Sequence, residues 1–279
     1  MKPFKRYFRQ PLGILGAALA VALVAMAAFA PLLAPYDTST GRLDEFSKPP
    51  SFAHWLGTDH VGVDVLSRVI MGSRLSLAIG LGASVLTVLI GMSLGVLAGY
   101  AGGRTDLVVA RVVDVTLAFP GLLLILILAV AFGAKGGGLT AVLLSLALVS
   151  WAPVAQFVRG QVLTLKTREF VTASRALGAS HARLILRHIL PNCLSILIVV
   201  FTMRLGTMIL AETSLSFLGL GASSDGNSWG LMVNLSYDDI QAHWWQSVFP
   251  ASAIALTVIA FNLVGDSLRD ALDPKLRIS

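Results

Sequence analysis

Long apolar runs separated by shorter polar segments dominate the chain. A helix that crosses the hydrocarbon core of a bilayer needs about 20 predominantly apolar residues. Six runs approach that length, at residues 12–33, 75–101, 112–132, 139–158, 195–218 and 248–264. The pattern predicts an all-α, polytopic membrane protein with six transmembrane helices. The first run is predicted to be an uncleaved span, because it is too long for a signal peptide and no small-residue cleavage site follows it.

Composition and charge support this interpretation and predict an orientation. The chain is 56% hydrophobic and 13% charged, with a mean hydropathy of +0.79. Fifteen of its 21 lysine and arginine residues fall on the side of the N-terminus, five fall on the other side, and Arg204 lies within a span. Because cytoplasmic loops carry the excess of basic residues, both termini are predicted to be cytoplasmic. The net charge of +6 therefore reflects topology and does not indicate nucleic-acid binding. The single Cys193 excludes an intrachain disulfide and favours a packing role.

The polar segment 159–192 lies between two apolar runs and is strongly basic. Its pattern predicts two short helices. Thr167 is a candidate N-cap of the first helix, with Glu169 in the first turn, and Gly178 is a candidate C-terminal stop. Ser180 is a candidate cap of the second helix, and Pro191 is expected to end it. The basic residues of the segment are Arg159, Lys166, Arg168, Arg175, Arg183 and Arg187.

The first of these short helices is predicted to be amphipathic. Phe170, Ala173 and Leu177 recur at helical spacing and share one face. A folded, basic cytoplasmic segment with an apolar face indicates a docking site for another protein.

Two segments on the opposite side are longer than simple connections. In residues 35–74, Val65, Leu66, Val69 and Ile70 fall on one helical face, which predicts an amphipathic helix on the outer membrane surface before the second span. Residues 219–247 contain three tryptophans suited to the membrane interface, namely Trp229, Trp244 and Trp245.

The second apolar run carries small residues every four positions. These residues are Ala83, Thr87, Gly91, Gly95 and Gly99. Such spacing lets two helices approach closely. The sequence leaves open whether this small-residue seam slides during gating or packs statically within the chain.

Sequence signatures of catalysis are lacking. The chain contains no GxxxxGK[ST] phosphate loop, HExxH, CxxC or GxSxG, and no pair of histidines has metal-ligand spacing on one helix. The chain is therefore predicted not to be an enzyme and to have no metal site.

Three charged residues fall within or near the spans. Charges inside a membrane are costly and suggest function, so Arg204 and Glu212 are candidate residues of a translocation pathway. Eight positions separate them, about 12 Å along a helix, too far for direct pairing. Arg204 equally fits a structural partner on a neighbouring helix or subunit, and Asp114 fits a hydrated or paired residue at the interface.

Specific motifs resemble a known family. Residues 168–192 are similar to the cytoplasmic EAA loop of bacterial ATP-binding-cassette importer permeases, with Thr172-Ala173-Ser174 in place of E-A-A, followed by Gly178 and the ending His188-Ile189-Leu190-Pro191. Thr172, Ser174 and His188 depart from the common pattern. Three further segments resemble the peptide and nickel subfamily: residues 57–77, in which Val63 replaces the usual arginine, SLSFLGLG at 214–221, and FNLVGDSLRDALDP at 261–274.

The resemblance implies the C-type permease subunit of a binding-protein-dependent, type I importer in the bacterial inner membrane. Its implied partners are a second, homologous permease, two ATP-binding subunits and an extracytoplasmic substrate-binding protein, and the ATPase subunits would bind ATP-Mg. The chain divides into residues 1–74, comprising the N-terminal tail, first span and periplasmic segment, and a core permease domain, residues 75–279. The outer segments 35–74 and 219–247 are expected to contact the binding protein or gate the outer mouth. Coupling to the ATPases is assigned to Glu169, Phe170, Ala173, Gly178, Leu186 and Pro191.

Several alternatives stay open at this stage. The implied cargo is a dipeptide or oligopeptide, with nickel or glutathione as alternatives. A secondary transporter or channel would be expected to show inverted repeats or several intramembrane acids, and the sequence shows neither. A membrane scaffold or receptor without transport is the third class. Gly178 could serve docking or only end a helix.

Overall fold

The structure is a computed structural model that describes residue 7 and residues 10–133, 138–222 and 228–272. These residues form helices and connecting loops, and no strand occurs among them. The helices are α1 (Pro11–Ala28), α2 (Ala30–Leu33), α3 (Val65–Ala101), α4 (Gly103–Ala118), α5 (Gly121–Gly133), α6 (Gly138–Leu165), α7 (Glu169–Ala176), α8 (His181–Leu184), α9 (Leu190–Phe217), α10 (Trp229–Leu235) and α11 (Trp245–Leu272). The all-α prediction is confirmed.

Within the described ranges, five helices are long and apolar enough to cross a membrane, and the pair α4 and α5 makes a sixth if it is one broken span. The predicted third span, 112–132, is interrupted between α4 and α5, which meet at an angle of 94°, and Pro120 is the signal in the sequence for this break. The break falls at Phe119 and Pro120, where Phe119 adopts an extended conformation. A proline disfavours the helical conformation of the residue before it and lacks the amide hydrogen that would continue the helix.

Helix α3 contradicts the predicted surface helix before the second span. It runs without interruption for 37 residues from Val65, a length of about 55 Å that exceeds the roughly 30 Å hydrocarbon core. Asp64 caps its N-terminus, and the Asp64 Oδ2 accepts a hydrogen bond from the Ser67 amide at 2.8 Å. Val65 and Val69 are buried against Trp229 and Trp245. The apolar face predicted to lie on lipid is therefore covered by protein.

The three tryptophans also differ from the prediction of an interfacial belt. Trp229 and Trp245 are buried, and their indole N–H groups donate to the carbonyl oxygens of Val69 at 2.8 Å and Thr58 at 3.1 Å. Of the three, Trp244 is the one with an exposed ring. We call residues 34–64 together with 228–244 the cap. The Trp229 indole joins the second cap segment to α3, and the Trp245 indole joins the first cap segment to α11, at the end of the molecule opposite α7 and α8.

The small-residue seam of α3 packs against α6 of the same chain. A Cβ atom added at Gly91 would lie 2.6 Å from the Val154 Cβ, and one added at Gly95 would lie 2.6 Å from the Ala155 carbonyl oxygen. These positions have no room for any side chain. The structure thus supports the static packing alternative for the seam.

Candidate docking site

The segment 159–192 is more helical than the sequence predicted. Helix α6 continues to Leu165, so the first residues of the predicted loop belong to a span. After α7 and α8, a π-helical turn over Ile185–Ile189 leads directly into α9. Pro191 was expected to end the second short helix but lies in the first turn of α9. Pro191 therefore lies within a continuous helical run from His181 to Phe217 and does not end it.

The N-terminus of α7 also differs from the prediction. Arg168 is the N-cap residue and its side chain makes no capping hydrogen bond. The predicted cap, Thr167, instead donates its hydroxyl to the Thr164 carbonyl oxygen at 3.0 Å. Glu169 is the first residue of the helix, as expected, and its carboxylate is favourably placed at the positive end of the helix dipole.

The C-terminus of α7 confirms the role predicted for Gly178 as a helix stop. Gly178 has a φ of 82°, its amide donates to the Arg175 carbonyl oxygen at 3.0 Å, and the Ala179 amide donates to the Ser174 carbonyl oxygen at 3.1 Å. These two bonds form a Schellman motif, which favours glycine at the left-handed position. Ser180 then caps α8, as predicted, by accepting a hydrogen bond from the Arg183 amide at 3.4 Å.

An apolar face of this segment is open to its surroundings. Val171 and Leu184 point inward and are fully buried. Leu177 is 89% exposed and Leu186 is 65% exposed. We define the docking face as the exposed residues Phe170, Ala173, Leu177, Leu186 and Pro191. Exposed apolar side chains of this kind mark surfaces that another protein covers.

Basic side chains surround the docking face. Arg168, Arg175, Arg183 and Arg187 are all exposed, whereas Glu169 supplies the acidic charge of this rim. A positive rim of this kind favours a partner surface that carries carboxylates.

Two polar contacts connect residues 166–192, which we call the docking segment, to the spans. The Lys166 ammonium donates to the Gly99 carbonyl oxygen at 2.8 Å, and the Tyr100 hydroxyl lies 2.7 Å from the His181 Nδ1. Both partners belong to the end of α3. A further contact fixes α6, the helix that leads into this segment: the Arg159 guanidinium of α6 donates to the Asp106 carboxylate of α4 through two nitrogens, with an Nη2–Oδ2 distance of 2.7 Å. A displacement of α7 and α8 would therefore act on α3 directly and on α4 through α6.

The two intramembrane charges predicted for a pathway lie apart in α9. Arg204 is half-buried near the middle of the helix, and it forms no salt bridge with a carboxylate of residues 10–133, 138–222 or 228–272. Glu212 is completely buried. Its Oε1 accepts a hydrogen bond from the Ser216 hydroxyl at 2.6 Å. The two residues do not pair, as their spacing predicted.

Asp114 of α4 is exposed and lies 3.5 Å from the Arg111 guanidinium. That contact fits the hydrated or paired residue that the sequence predicted.

Sequence reasoning missed the contacts that fix the docking segment to α3 and α6 to α4. Asp106 and Arg159 are 53 positions apart, and Lys166 and Gly99 are 67 apart. Nothing in the local pattern of either segment indicates such pairs. The opposite charges of Asp106 and Arg159 near the ends of neighbouring spans were the one available signal.

These features define a class: a multi-pass α-helical membrane protein with an exposed, folded helical segment between two of its spans. Residues 91–278 match the family described as binding-protein-dependent transport system inner membrane component. Residues 4–50 match the N-terminal TM domain of oligopeptide transport permease C. The chain belongs to this family of inner membrane transport permeases.

Three transport permeases are similar in sequence to almost the whole of this chain. The oligopeptide transport system permease protein OppC of Bacillus subtilis is 42% identical over 272 residues, covering 98% of this chain and 88% of the relative. The dipeptide transport system permease protein DppC of the same organism is 41% identical, covering 98% and 85%. The glutathione transport system permease protein GsiD of Pectobacterium atrosepticum is 42% identical, covering 98% and 90%.

Proposed function

We propose that this chain is one of two permease subunits of an ATP-driven, binding-protein-dependent importer of dipeptides or oligopeptides. Membership of the permease family and the similarity to oligopeptide and dipeptide permeases support this function. The single structural observation that carries it is the docking face, an exposed apolar surface on a folded segment fixed to α3. The chain itself catalyses no reaction in this proposal.

The proposed partners divide the work of transport. A second, homologous permease completes the translocation pathway, and an extracytoplasmic binding protein delivers the cargo. Two ATPase subunits bind ATP-Mg, and one of them receives α7 in a surface groove. When ATP closes the ATPase dimer, α7 and α8 move with it. The contacts of Lys166 and His181 carry that motion to α3, and α6 carries it to α4 through Arg159, which changes access to the pathway.

The proposal places the docking segment and both termini in the cytoplasm. The asymmetric distribution of lysine and arginine supports this orientation. Contact between α7 and a cytoplasmic ATPase requires it, so mapping that contact by cross-linking also tests the orientation.

The residues proposed for coupling are those assigned from the sequence. Phe170, Ala173, Leu186 and Pro191 contribute apolar contact, together with Leu177. Glu169 and Gly178 fix the two ends of α7.

Arg204 is proposed to meet the carboxylate of a passing substrate, because its guanidinium has no acidic partner among the described residues. Glu212 enters the proposal as a second pathway residue, although its side chain is buried within the isolated chain. Replacing Arg204 by glutamine is expected to lower uptake of peptides with a free C-terminal carboxylate about tenfold, the effect of losing one charge-assisted hydrogen bond. Uptake of the corresponding peptide amides should change much less. Equal losses for acids and amides would instead indicate a structural role.

The function is tested by reconstituting the purified complex of both permeases, both ATPases and the binding protein. We expect ATP hydrolysis to rise several-fold when a transported peptide saturates the binding protein, since a loaded receptor favours the closed ATPase dimer. Dipeptides, longer peptides, glutathione and chelated nickel are compared in parallel. Glutathione is the alternative cargo with specific support, because the similar GsiD proteins are named for it. Uptake by this chain alone in liposomes without ATP would replace the proposal with a secondary transporter or channel.

A further inference from the structure

Two aromatic side chains of the cap project away from the protein. Phe52 is fully exposed and Trp55 is 72% exposed, and we call them the aromatic pair. Exposed rings of this size are uncommon on a water-facing surface unless another phase covers them. Neither residue belongs to the docking face or to the proposed pathway.

The loop that carries the aromatic pair is held in place by hydrogen bonds. The Tyr36 hydroxyl donates to the Ala53 carbonyl oxygen at 2.7 Å, and the Tyr36 amide donates to the Ser67 hydroxyl oxygen at 3.0 Å. The Gly57 amide donates to the His54 carbonyl oxygen at 2.9 Å. The His54 ring packs 4.8 Å from the Tyr36 ring. The loop is thereby fixed to Tyr36 and to the first turn of α3.

The position of Tyr36 sets the depth of the aromatic pair in the bilayer. Helices α1 and α2, joined by Phe29, extend from Pro11 to Leu33 and rise about 34 Å at 1.5 Å per residue. The hydrocarbon core is about 30 Å thick. Tyr36 follows three residues later and therefore lies just beyond the core, in the headgroup region.

The residues that follow the first span line a groove together with the aromatic pair. Leu32 is 83% exposed and Leu33 is also exposed, as expected of residues that face lipid. Beyond them, a groove of about 180 Å³ is lined by Pro35, Tyr36, Phe52, Ala53, Trp55, Asp64 and Leu66. Pro35 and Tyr36, which follow Leu33 within three residues, thus share this groove with both rings.

We propose that Phe52 and Trp55 insert into the interface of the membrane leaflet at this end of the first span and anchor the cap to phospholipid. Aromatic rings favour this zone, where the apolar ring body and the polar indole N–H are both accommodated. The anchor keeps the cap at a fixed height above the spans. The inference goes beyond the proposed transport function and needs only the depth of the first span, whichever side of the cell it faces.

Nitroxide side chains test the insertion directly. In a Cys193→Ala background, which removes the single native cysteine, Phe52→Cys and Trp55→Cys are labelled in the permease complex and placed in phosphatidylcholine and phosphatidylglycerol nanodiscs. Labels in the interface should collide more often with oxygen than with a polar nickel chelate, by at least a few-fold. Asp44→Cys is the matched control, because Asp44 is an exposed acidic residue of the same segment.

The outcomes separate lipid from the alternatives. Preferential collision with the nickel chelate at residues 52 and 55, as at residue 44, would overturn the proposal in favour of a water-exposed loop. Protection from both reagents would overturn it in favour of a protein partner. The native side chain gives a second measurement: brominated phospholipids should quench wild-type tryptophan fluorescence more than that of Trp55→Phe, and equal quenching would contradict insertion.

Discussion

Replacing Leu177 by glutamate is expected to reduce ATP-driven uptake by about 100-fold or more while the chain still folds and accumulates. Leu177 is 89% exposed, so the substitution removes little packing within the chain. If an ATPase subunit covers this position, the new carboxylate loses its hydrating water. No group of the native interface is positioned to bind it. Burying an unpaired charge costs several kcal/mol, and every 1.4 kcal/mol lowers an association constant tenfold.

Thr172→Glu is the matched control for Leu177→Glu. It adds the same carboxylate to the same helix on a different face, where Thr172 is exposed and its hydroxyl bonds to the Glu169 carbonyl oxygen at 2.9 Å. It also introduces the residue common at that position of the EAA pattern. Uptake, copurification of the ATPases and cross-linking from residue 177 to the ATPase are measured together. Normal uptake and normal copurification in Leu177→Glu would refute the docking face.

A substitution of Gly178 is a weaker test of whether an ATPase subunit covers the docking face. Its φ of 82° strains any residue with a side chain, by about 1–2 kcal/mol, although a Cβ there would meet nothing within 4 Å. A bulky substitution would therefore disturb the Schellman turn and the docking face at once. Substitution of the exposed Leu177 tests the docking face separately from the Schellman turn.

The sequence predicted the ends of the helices in the docking segment only at residue types that have one preferred position at a helix end. Glycine at a left-handed position and serine at an N-cap each have one dominant use, so Gly178 and Ser180 were predicted correctly. Threonine has competing uses, and Thr167 bonds backward to the Thr164 carbonyl oxygen instead of forward to an amide. Hydroxyl side chains offer the backbone several such alternatives.

The extent of the helices could not be predicted from apolar patterns alone. Val65 and Val69 have the same spacing whether lipid or protein covers them, and the covering residues Trp229 and Trp245 lie more than 150 positions away. For the same reason, the sequence suggested that Trp229 and Trp245 lie at the membrane interface, although both are buried. It gave no signal that Phe52 and Trp55 are exposed. Exposure is decided by tertiary contacts that a short sequence window does not contain.

Gly95→Leu is expected to lower the amount of folded chain at least tenfold. A Cβ at residue 95 would lie 2.6 Å from the Ala155 carbonyl oxygen and 2.8 Å from the Val158 Cβ. The carbonyl oxygen belongs to the backbone of α6 and cannot rotate away, so α3 and α6 must separate. Overpacking a core commonly costs about 1–3 kcal/mol and occasionally more. The cost should be high here, because the seam also includes Gly91 and Gly99, which are packed equally tightly.

Ser93→Leu adds a leucine two residues away on the exposed side of α3, where the Ser93 hydroxyl bonds only to the Leu89 carbonyl oxygen of its own helix. That control should accumulate and unfold like the unsubstituted chain. Gly95→Ala should fall between the two, because its single methyl group still meets the Ala155 oxygen. The three variants are compared by membrane abundance and by thermal unfolding in detergent. If Gly95→Leu matched Ser93→Leu in both measurements, α3 and α6 would have to be separable in the native state, and the seam would then have to slide as the alternative sequence interpretation proposed.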